Sequence, residues 1–63
     1  MFAQRIRYLR QCRNYRQKEI ALLLGLSRSA YTLYETGRRD PSLETLLRLA
    51  DLYDVSTDYL LGR

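Results

Sequence analysis

The sequence predicts an all-α fold of five short helices, and three observations support this class. Apolar residues recur at intervals of three and four positions, the spacing that places side chains on one face of a helix. Serine, asparagine, glycine and proline residues, which start or stop helices, separate these stretches. No stretch alternates apolar and polar residues as a half-buried strand does. Because no linker, repeat or low-complexity segment interrupts the 63 residues, one domain over residues 1–63 is expected.

The first helix is predicted over residues 2–13 and the second over residues 17–24. Their inner faces consist of apolar residues: Phe2, Ile6 and Leu9 in the first helix, and Ile20, Ala21 and Leu24 in the second. Asn14 suits the left-handed backbone conformation that ends many helices. Arg16 stands where Ser, Thr or Asp would cap the second helix, which is expected to forgo about 1 kcal/mol. Glu19 lies in the first turn, where the helix dipole favours an anion.

The third helix is predicted from its two ends. Gly25 ends the second helix, because glycine adopts a positive φ without steric cost. Ser27 is a good N-cap for a third helix over residues 28–35, whose apolar residues are Ala30, Tyr31 and Tyr34. Residues 36–41 form a polar loop with turn-forming residues at both ends. The second and third helices with their tight turn, residues 17–36, therefore have the outline of a helix-turn-helix.

Two further helices complete the prediction. The fourth covers residues 43–53, with Ser42 as its cap. Its expected buried stripe consists of Leu43, Leu46, Leu47, Ala50 and Tyr53. The fifth covers residues 58–61 and begins at Ser56 or Thr57.

Positive charge is concentrated in the first two thirds of the chain. Eleven Lys and Arg residues against seven Asp and Glu give a net charge of +4. Residues 1–39 hold nine of these cations and two of the acids, a net charge of +7, whereas residues 40–63 hold two cations and five acids, a net charge of −3. A basic front and an acidic back suggest one face that meets a polyanion. The alternative is a solvated surface whose charge is merely uneven.

Several functional classes find no support in the residue types present. Cys12, expected to be partly buried and inert, is the only cysteine, and histidine is absent. An internal disulfide and a Cys/His metal site are therefore excluded, and no cofactor is expected. An enzyme is the least expected function, because no catalytic constellation or phosphate-binding glycine loop is present. No apolar run approaches the ~20 residues of a membrane span. Because Arg5, Arg7 and Arg10 interrupt the start, unlike a secretory signal, a cytoplasmic protein is expected.

Six stretches of the sequence carry a more specific pattern. They are Arg5 to Arg10 (RIRYLR), Gln17 to Ala21 (QKEIA), Leu24 to Ser29 (LGLSRS), Tyr34 to Arg39 (YETGRR), Pro41 to Leu46 (PSLETL) and Asp58 to Gly62 (DYLLG). Together they resemble the phage repressor and Cro-like helix-turn-helix family, also called the XRE family, over almost the whole chain. The resemblance implies a lambda-repressor-like DNA-binding domain in which helices two and three form the helix-turn-helix. It also implies a transcriptional regulator, most simply a repressor, that binds double-stranded DNA as a homodimer on a near-palindromic operator.

The resemblance and the helix positions together predict which residues meet DNA. Base contacts are expected from the exposed side of the third helix: Arg28, Ser29, Thr32 and Leu33. Phosphate contacts are expected from Gln17, Ser27, Arg38 and Arg39. Structural roles are expected for Ala21, Gly25 and a pair between Arg10 and Glu35, which the family pattern implies.

Individual base contacts follow from side-chain chemistry. Arginine at position 28 can bond guanine O6 and N7 together, which is worth ~1–3 kcal/mol of discrimination, and a plain phosphate contact is the alternative. Leu33 can offer only apolar contact, for which a thymine methyl is the natural partner. An exposed or partner-facing Leu33 is nearly as well supported.

Readings other than a DNA-binding regulator stay open. Leu22 and Leu33 stand where the family commonly has polar residues, which fits a protein-interaction module such as an antitoxin-like or anti-repressor-like protein. Of the three leucines at positions 22–24, one is expected to be exposed. Tyr59, Leu60 and Leu61 are candidates for a dimer seam, although Leu60 more simply closes the core. The chain also ends where longer family members continue, which fits a fragment of a longer protein.

Overall fold

The computed structural model describes residues 1–63, in which the chain forms five α-helices and no strand. In chain order the helices are α1 (Phe2–Cys12), α2 (Gln17–Leu23), α3 (Arg28–Glu35), α4 (Leu43–Tyr53) and α5 (Thr57–Leu61). The predicted all-α class is confirmed, and every helix boundary lies within one residue of its predicted position. Helix α3 packs against both α1 and α2, and α5 packs against α1 and α4. None of the five helices has the length and apolar character that a membrane span requires.

Every helix ends in the same way. A residue with positive φ follows the last turn, and the N–H after it bonds to a carbonyl oxygen five residues back. The left-handed residues are Asn14, Gly25, Gly37, Asp54 and Gly62. The closing bonds run from the N–H groups of Tyr15, Leu26, Arg38, Val55 and Arg63, at N···O distances of 3.1, 2.8, 2.9, 3.0 and 2.9 Å respectively. Glycine, asparagine and aspartate tolerate this conformation best, which is why the helix ends could be read from the sequence.

Three of the helices begin with a serine cap. The hydroxyl oxygen of the serine accepts a hydrogen bond from the backbone N–H three residues later. The pairs are Ser27 with Ala30, Ser42 with Thr45, and Ser56 with Tyr59, at 3.1, 3.1 and 3.0 Å. These caps satisfy N–H groups that the helix itself leaves unpaired, and they set the starts of α3, α4 and α5.

One hydrophobic core lies among the five helices. Its buried residues are Ile6, Leu9, Ile20, Ala21, Leu24, Tyr31, Tyr34, Leu46, Leu49, Ala50, Tyr53 and Leu60. The hydroxyl groups of Tyr31 and Tyr53 are buried without a hydrogen-bond partner. Burial raises the pKa of both tyrosines, so both hydroxyls stay protonated.

The predicted buried stripe of α4 is wrong at three positions. Leu43 is 72% exposed and Leu47 is 49% exposed, whereas Leu49, which was not predicted, is fully buried. The buried residues 46, 49, 50 and 53 still follow a helical spacing. Leucines surround most of this helix, so its sequence supports two overlapping stripes. Packing against the other helices decides which one is buried.

Two smaller expectations also fail. Among the leucines at positions 22–24, two rather than one are exposed: Leu22 at 79% and Leu23 at 56%, with only Leu24 buried. The buried residues Ile20, Ala21 and Leu24 form one face at helical spacing, and Leu22 and Leu23 lie off that face, in solvent. Cys12 is exposed instead of partly buried, because the last turn of α1 turns it away from the core. Leu60 closes the core as expected, and Leu61 beside it is exposed.

Candidate nucleic-acid interface

The turn between α2 and α3 has the conformation that a helix-turn-helix requires. Gly25 has a φ of +71°, and a Cβ at this position would meet no atom within 4 Å. Backbone conformation rather than space therefore favours glycine here. Ala21, one turn earlier, is buried, and Leu26 in the turn packs against the core. The turn thus holds the apolar side of α3 against the core and leaves the opposite side of α3 exposed.

Helix α2 begins without a side-chain cap. The guanidinium of Arg16 has no acceptor atom, so it cannot receive a backbone N–H of the first turn. Glu19 supplies the reciprocal bond, its Oε1 accepting from the Arg16 N–H at 2.8 Å. Only half of a capping box is present, and the Arg16 side chain is left exposed.

Glu35 of α3 is the one buried charged residue, and it connects three helices. Arg10 of α1 donates from Nε to Oε2 at 2.7 Å and from Nη2 to Oε1 at 3.1 Å. Gln17 of α2 donates from Nε2 to Oε1 at 3.1 Å. Burial acts to raise the pKa of Glu35, but the hydrogen bonds from Arg10 and Gln17 outweigh it and hold that pKa below its ordinary value. The carboxylate therefore stays ionised and ties α3 to α1 and α2.

Gln17 uses both ends of its side-chain amide inside the protein. Its NH2 group donates to Glu35, and its Oε1 lies 3.1 Å from the hydroxyl oxygen of Thr32 in α3. The Thr32 hydroxyl also lies 2.8 Å from the Arg28 carbonyl oxygen, and its single proton can serve either acceptor. The phosphate contact predicted for Gln17 and the base contact predicted for Thr32 therefore concern side chains that already bond within the protein.

The other predicted contact residues lie on open surface. Arg28 and Ser29 are exposed in the first turn of α3, and Leu33 is half-buried one turn further along. Arg38 and Arg39 are exposed in the loop after α3. The chain has only two ion pairs, Arg10 with Glu35 and Glu44 with Arg48, so none of these three arginines is paired.

A cationic cavity of about 400 Å³ adjoins the start of α3. Its lining residues are Arg10, Tyr15, Arg16, Gln17, Lys18 and Arg28. Arg10 is committed to Glu35 and to the Tyr15 carbonyl oxygen, whereas Arg16, Lys18 and Arg28 form no ion pair. These three free cations suit an anion and not a metal, and no group of three Cys, Asp or Glu side chains is placed to hold a metal ion.

Arg16 and Lys18 are not among the predicted contact residues. The sequence marks Arg16 as a poor cap and Lys18 as one of the cations of residues 1–39. The signal was nevertheless present, because the two cations flank Gln17 at the start of α2. Cations on both sides of a predicted phosphate contact indicate a phosphate-binding surface larger than one residue.

Known proteins are similar to this chain in both sequence and fold. A family model described as Helix-turn-helix matches residues 6–60. The HTH-type transcriptional regulator AnsR of Bacillus subtilis (strain 168) is 48% identical over 63 residues, which cover 100% of this chain and 54% of AnsR. The HTH-type transcriptional regulator ImmR of the same organism is 47% identical over 60 residues, which cover 95% of this chain and 47% of ImmR. The chain spans about half the length of these relatives.

One solved structure is similar to this chain in fold as well as in sequence. The P22 c2 repressor protein, crystallised in complex with a synthetic operator, matches with a TM-score of 0.89 at 32% identity. The alignment covers 95% of this chain and 91% of that chain. The lambda-repressor-like arrangement that the resemblance implied is therefore confirmed as the fold.

Proposed function

The chain belongs to the helix-turn-helix family, and from this premise we propose that it binds double-stranded DNA as a transcriptional repressor. Helix α3 lies in the major groove with its first turn against the base edges. Arg28 bonds a guanine through O6 and N7, and Ser29 contacts the neighbouring base or its phosphate. Leu33, half-buried on the same side, packs against a thymine methyl group.

The observation that carries this proposal is the contrast between Glu35 and Arg28 on one short helix. Glu35 is buried and fully bonded, so α3 is held in one orientation relative to α1 and α2 before any ligand arrives. Arg28, at the other end of α3, is exposed and unpaired. A supported helix beneath an unpaired cation lowers the ordering cost of binding, because the backbone of Arg28 is already in place.

The phosphate contacts surround this base-reading surface. Arg38 and Arg39 follow α3, and Arg16 and Lys18 lie at the start of α2. These four free cations bind backbone phosphates on either side of the major groove that α3 occupies, together with Ser27 and the remaining amide hydrogen of Gln17. Each phosphate that a cation neutralises releases counterions, so affinity falls as salt rises.

The active species is a dimer on a near-palindromic operator. One recognition helix reads only a few base pairs, whereas two helices related by a two-fold axis read two half-sites about 34 Å apart.

Selection from random duplex DNA, followed by binding across a salt series, tests the proposal. Arg28→Ala should relax the preference at one operator position and cost about 1–3 kcal/mol. Arg38→Ala should weaken binding to all sequences alike and lower the salt slope by about 1. Arg48→Ala is the matched control, because this arginine is exposed on α4 and paired with Glu44, away from the interface. If no sequence is enriched and binding stays weak at low salt, the proposal fails.

A further inference from the structure

A second surface cavity, of about 330 Å³, lies where the outer side of α2 meets the turn and the start of α3. Its lining residues are Lys18, Ala21, Leu22, Leu26 and Arg28, and we refer to it as the α2–α3 crevice. Ala21 is buried and Leu26 is half-buried, while Leu22 is the most exposed leucine of the chain at 79%. The crevice therefore has apolar walls that are open to solvent.

The charge at this crevice has a single sign. Lys18 and Arg28 are its only charged lining residues, and neither forms an ion pair. A lone exposed leucine is ordinary in a protein surface. An exposed leucine between two free cations at the mouth of an apolar crevice is more selective, because it suits a ligand that carries apolar and acidic groups together.

Another surface cavity lacks this combination. That cavity, about 390 Å³, is lined by Leu23, Leu24, Arg48, Asp51 and Leu52. Its apolar walls are similar, but one cation and one acid offset each other, so it has no preference for the sign of a ligand. Charge complementarity therefore favours an acidic occupant at one of the two cavities only.

We propose that the α2–α3 crevice binds an acidic, leucine-containing segment of a partner protein. An apolar side chain of the partner packs on Leu22 and Leu26, and flanking carboxylates pair with Lys18 and Arg28. Arg28 also belongs to the proposed base-reading surface, so the partner competes with DNA and acts as an inhibitor. The competition rests on the proposed function, whereas binding of the segment does not.

Direct binding of three fluorescein-labelled peptides of about twelve residues tests the site, with fluorescence anisotropy as the readout. The first carries Glu and Leu at helical spacing, the second has Ser in place of each Leu, and the third has Lys in place of each Glu. The first should bind at least about tenfold more tightly than the other two. Leu22→Gln and Lys18→Glu should each reduce its affinity about tenfold.

Two matched controls separate the crevice from the rest of the surface. Leu23→Gln changes the adjacent exposed leucine, and Arg48→Glu makes the same change of charge outside the crevice. Both variants should bind the first peptide as the unmodified chain does. Far-UV circular dichroism should show the same helix content in all four variants, because every substituted side chain is exposed.

Three results would overturn the proposal. Equal binding of the first two peptides would show plain attraction of an acidic chain, and absence of binding at about 1 mM would show that no site exists. If Leu22→Gln weakens duplex binding but leaves peptide binding unchanged, the crevice belongs to the DNA-binding surface of the protein. In the competition arm, the first peptide should displace labelled operator from the unmodified chain, and displacement from Leu22→Gln should need about tenfold more peptide. If the operator does not bind even without peptide, the proposed function fails, and the direct peptide result still stands on its own.

Discussion

The buried carboxylate of Glu35 sets the orientation of α3 in the candidate interface. Glu35 loses its hydration on folding, and its charge is tolerable only because Arg10 and Gln17 supply three hydrogen bonds. Such a bonded charge contributes less to stability than its contacts suggest, because burial has a large cost of its own. Its value lies in orientation, since the same bonds decide how α3 projects from the other helices.

The lowered pKa of Glu35 predicts how stability depends on pH. The unfolded chain takes up a proton near the ordinary glutamate pKa of about 4.3, while the folded chain does so only at lower pH. The unfolded state therefore binds more protons as pH falls through this range, and the free energy of unfolding decreases. Glu35→Gln should cost about 1–3 kcal/mol at pH 7, and the difference from the unmodified chain should shrink toward pH 3.

Urea unfolding followed by circular dichroism between pH 7 and pH 3 measures this difference. Glu44→Gln is the control, because Glu44 forms an exposed pair with Arg48 one turn away on α4. An exposed pair of this kind contributes about 0.3–0.5 kcal/mol. A gap between the unmodified chain and Glu35→Gln that stays constant with pH would contradict the assignment.

The start of α2 combines a poor cap with a free cation, because Arg16 is both. Arg16→Ser should complete the capping box, with the new hydroxyl accepting the Glu19 N–H, and should raise stability by about 1 kcal/mol. The same change removes a proposed phosphate contact and should lower the salt slope of DNA binding by about 1. Stability and DNA affinity should therefore move in opposite directions.

Arg16→Lys distinguishes the two effects, because lysine keeps the charge and offers no acceptor. It should leave stability nearly unchanged and retain most of the DNA affinity. Melting temperature and duplex binding are measured on the same preparations. If Arg16→Ser binds duplex DNA as tightly as the unmodified chain at every salt concentration, Arg16 is not a phosphate contact.

Helix ends could be predicted from this sequence because their determinants are local. Ser27, Ser42 and Gly25 act through hydrogen bonds or φ values within a few residues of themselves. The buried face of α4 could not be predicted in the same way. Leu43 and Leu49 are equally apolar, and packing against the other helices decides which of them is buried.

The same distinction between local and long-range determinants applies to the candidate site. The positions of Arg28 and Ser29 on open surface follow from the pattern of α3 alone. The bond between Arg10 and Glu35 joins residues that are 25 positions apart, so only the family resemblance indicated it. The Gln17 amide bonds both Glu35 and Thr32. These two bonds depend on side-chain geometry, which residue spacing alone does not predict.

The basic and the acidic parts of the sequence form different helices of the molecule. The segment with a net charge of +7 contains α1, α2, α3 and the following loop, and the segment with −3 contains α4 and α5. Nine of the eleven Lys and Arg residues form no ion pair, so this positive charge is available to a polyanion. In the proposed function, a field of this kind orients the helix-turn-helix toward DNA before contact and speeds association at low salt.

The proposed function includes a second copy, because one recognition helix reads only a few base pairs. Two copies on a palindrome should bind with both α3 helices on one side of the duplex, at half-site centres about 34 Å apart. Inserting about five base pairs between the half-sites moves one to the opposite side and should abolish the second binding event at operator concentrations that saturate the original. A single half-site duplex is the control for one bound copy. Sedimentation of the saturated complex should give two chains per palindrome, and one chain there, or equal affinity for both spacings, would exclude the dimer.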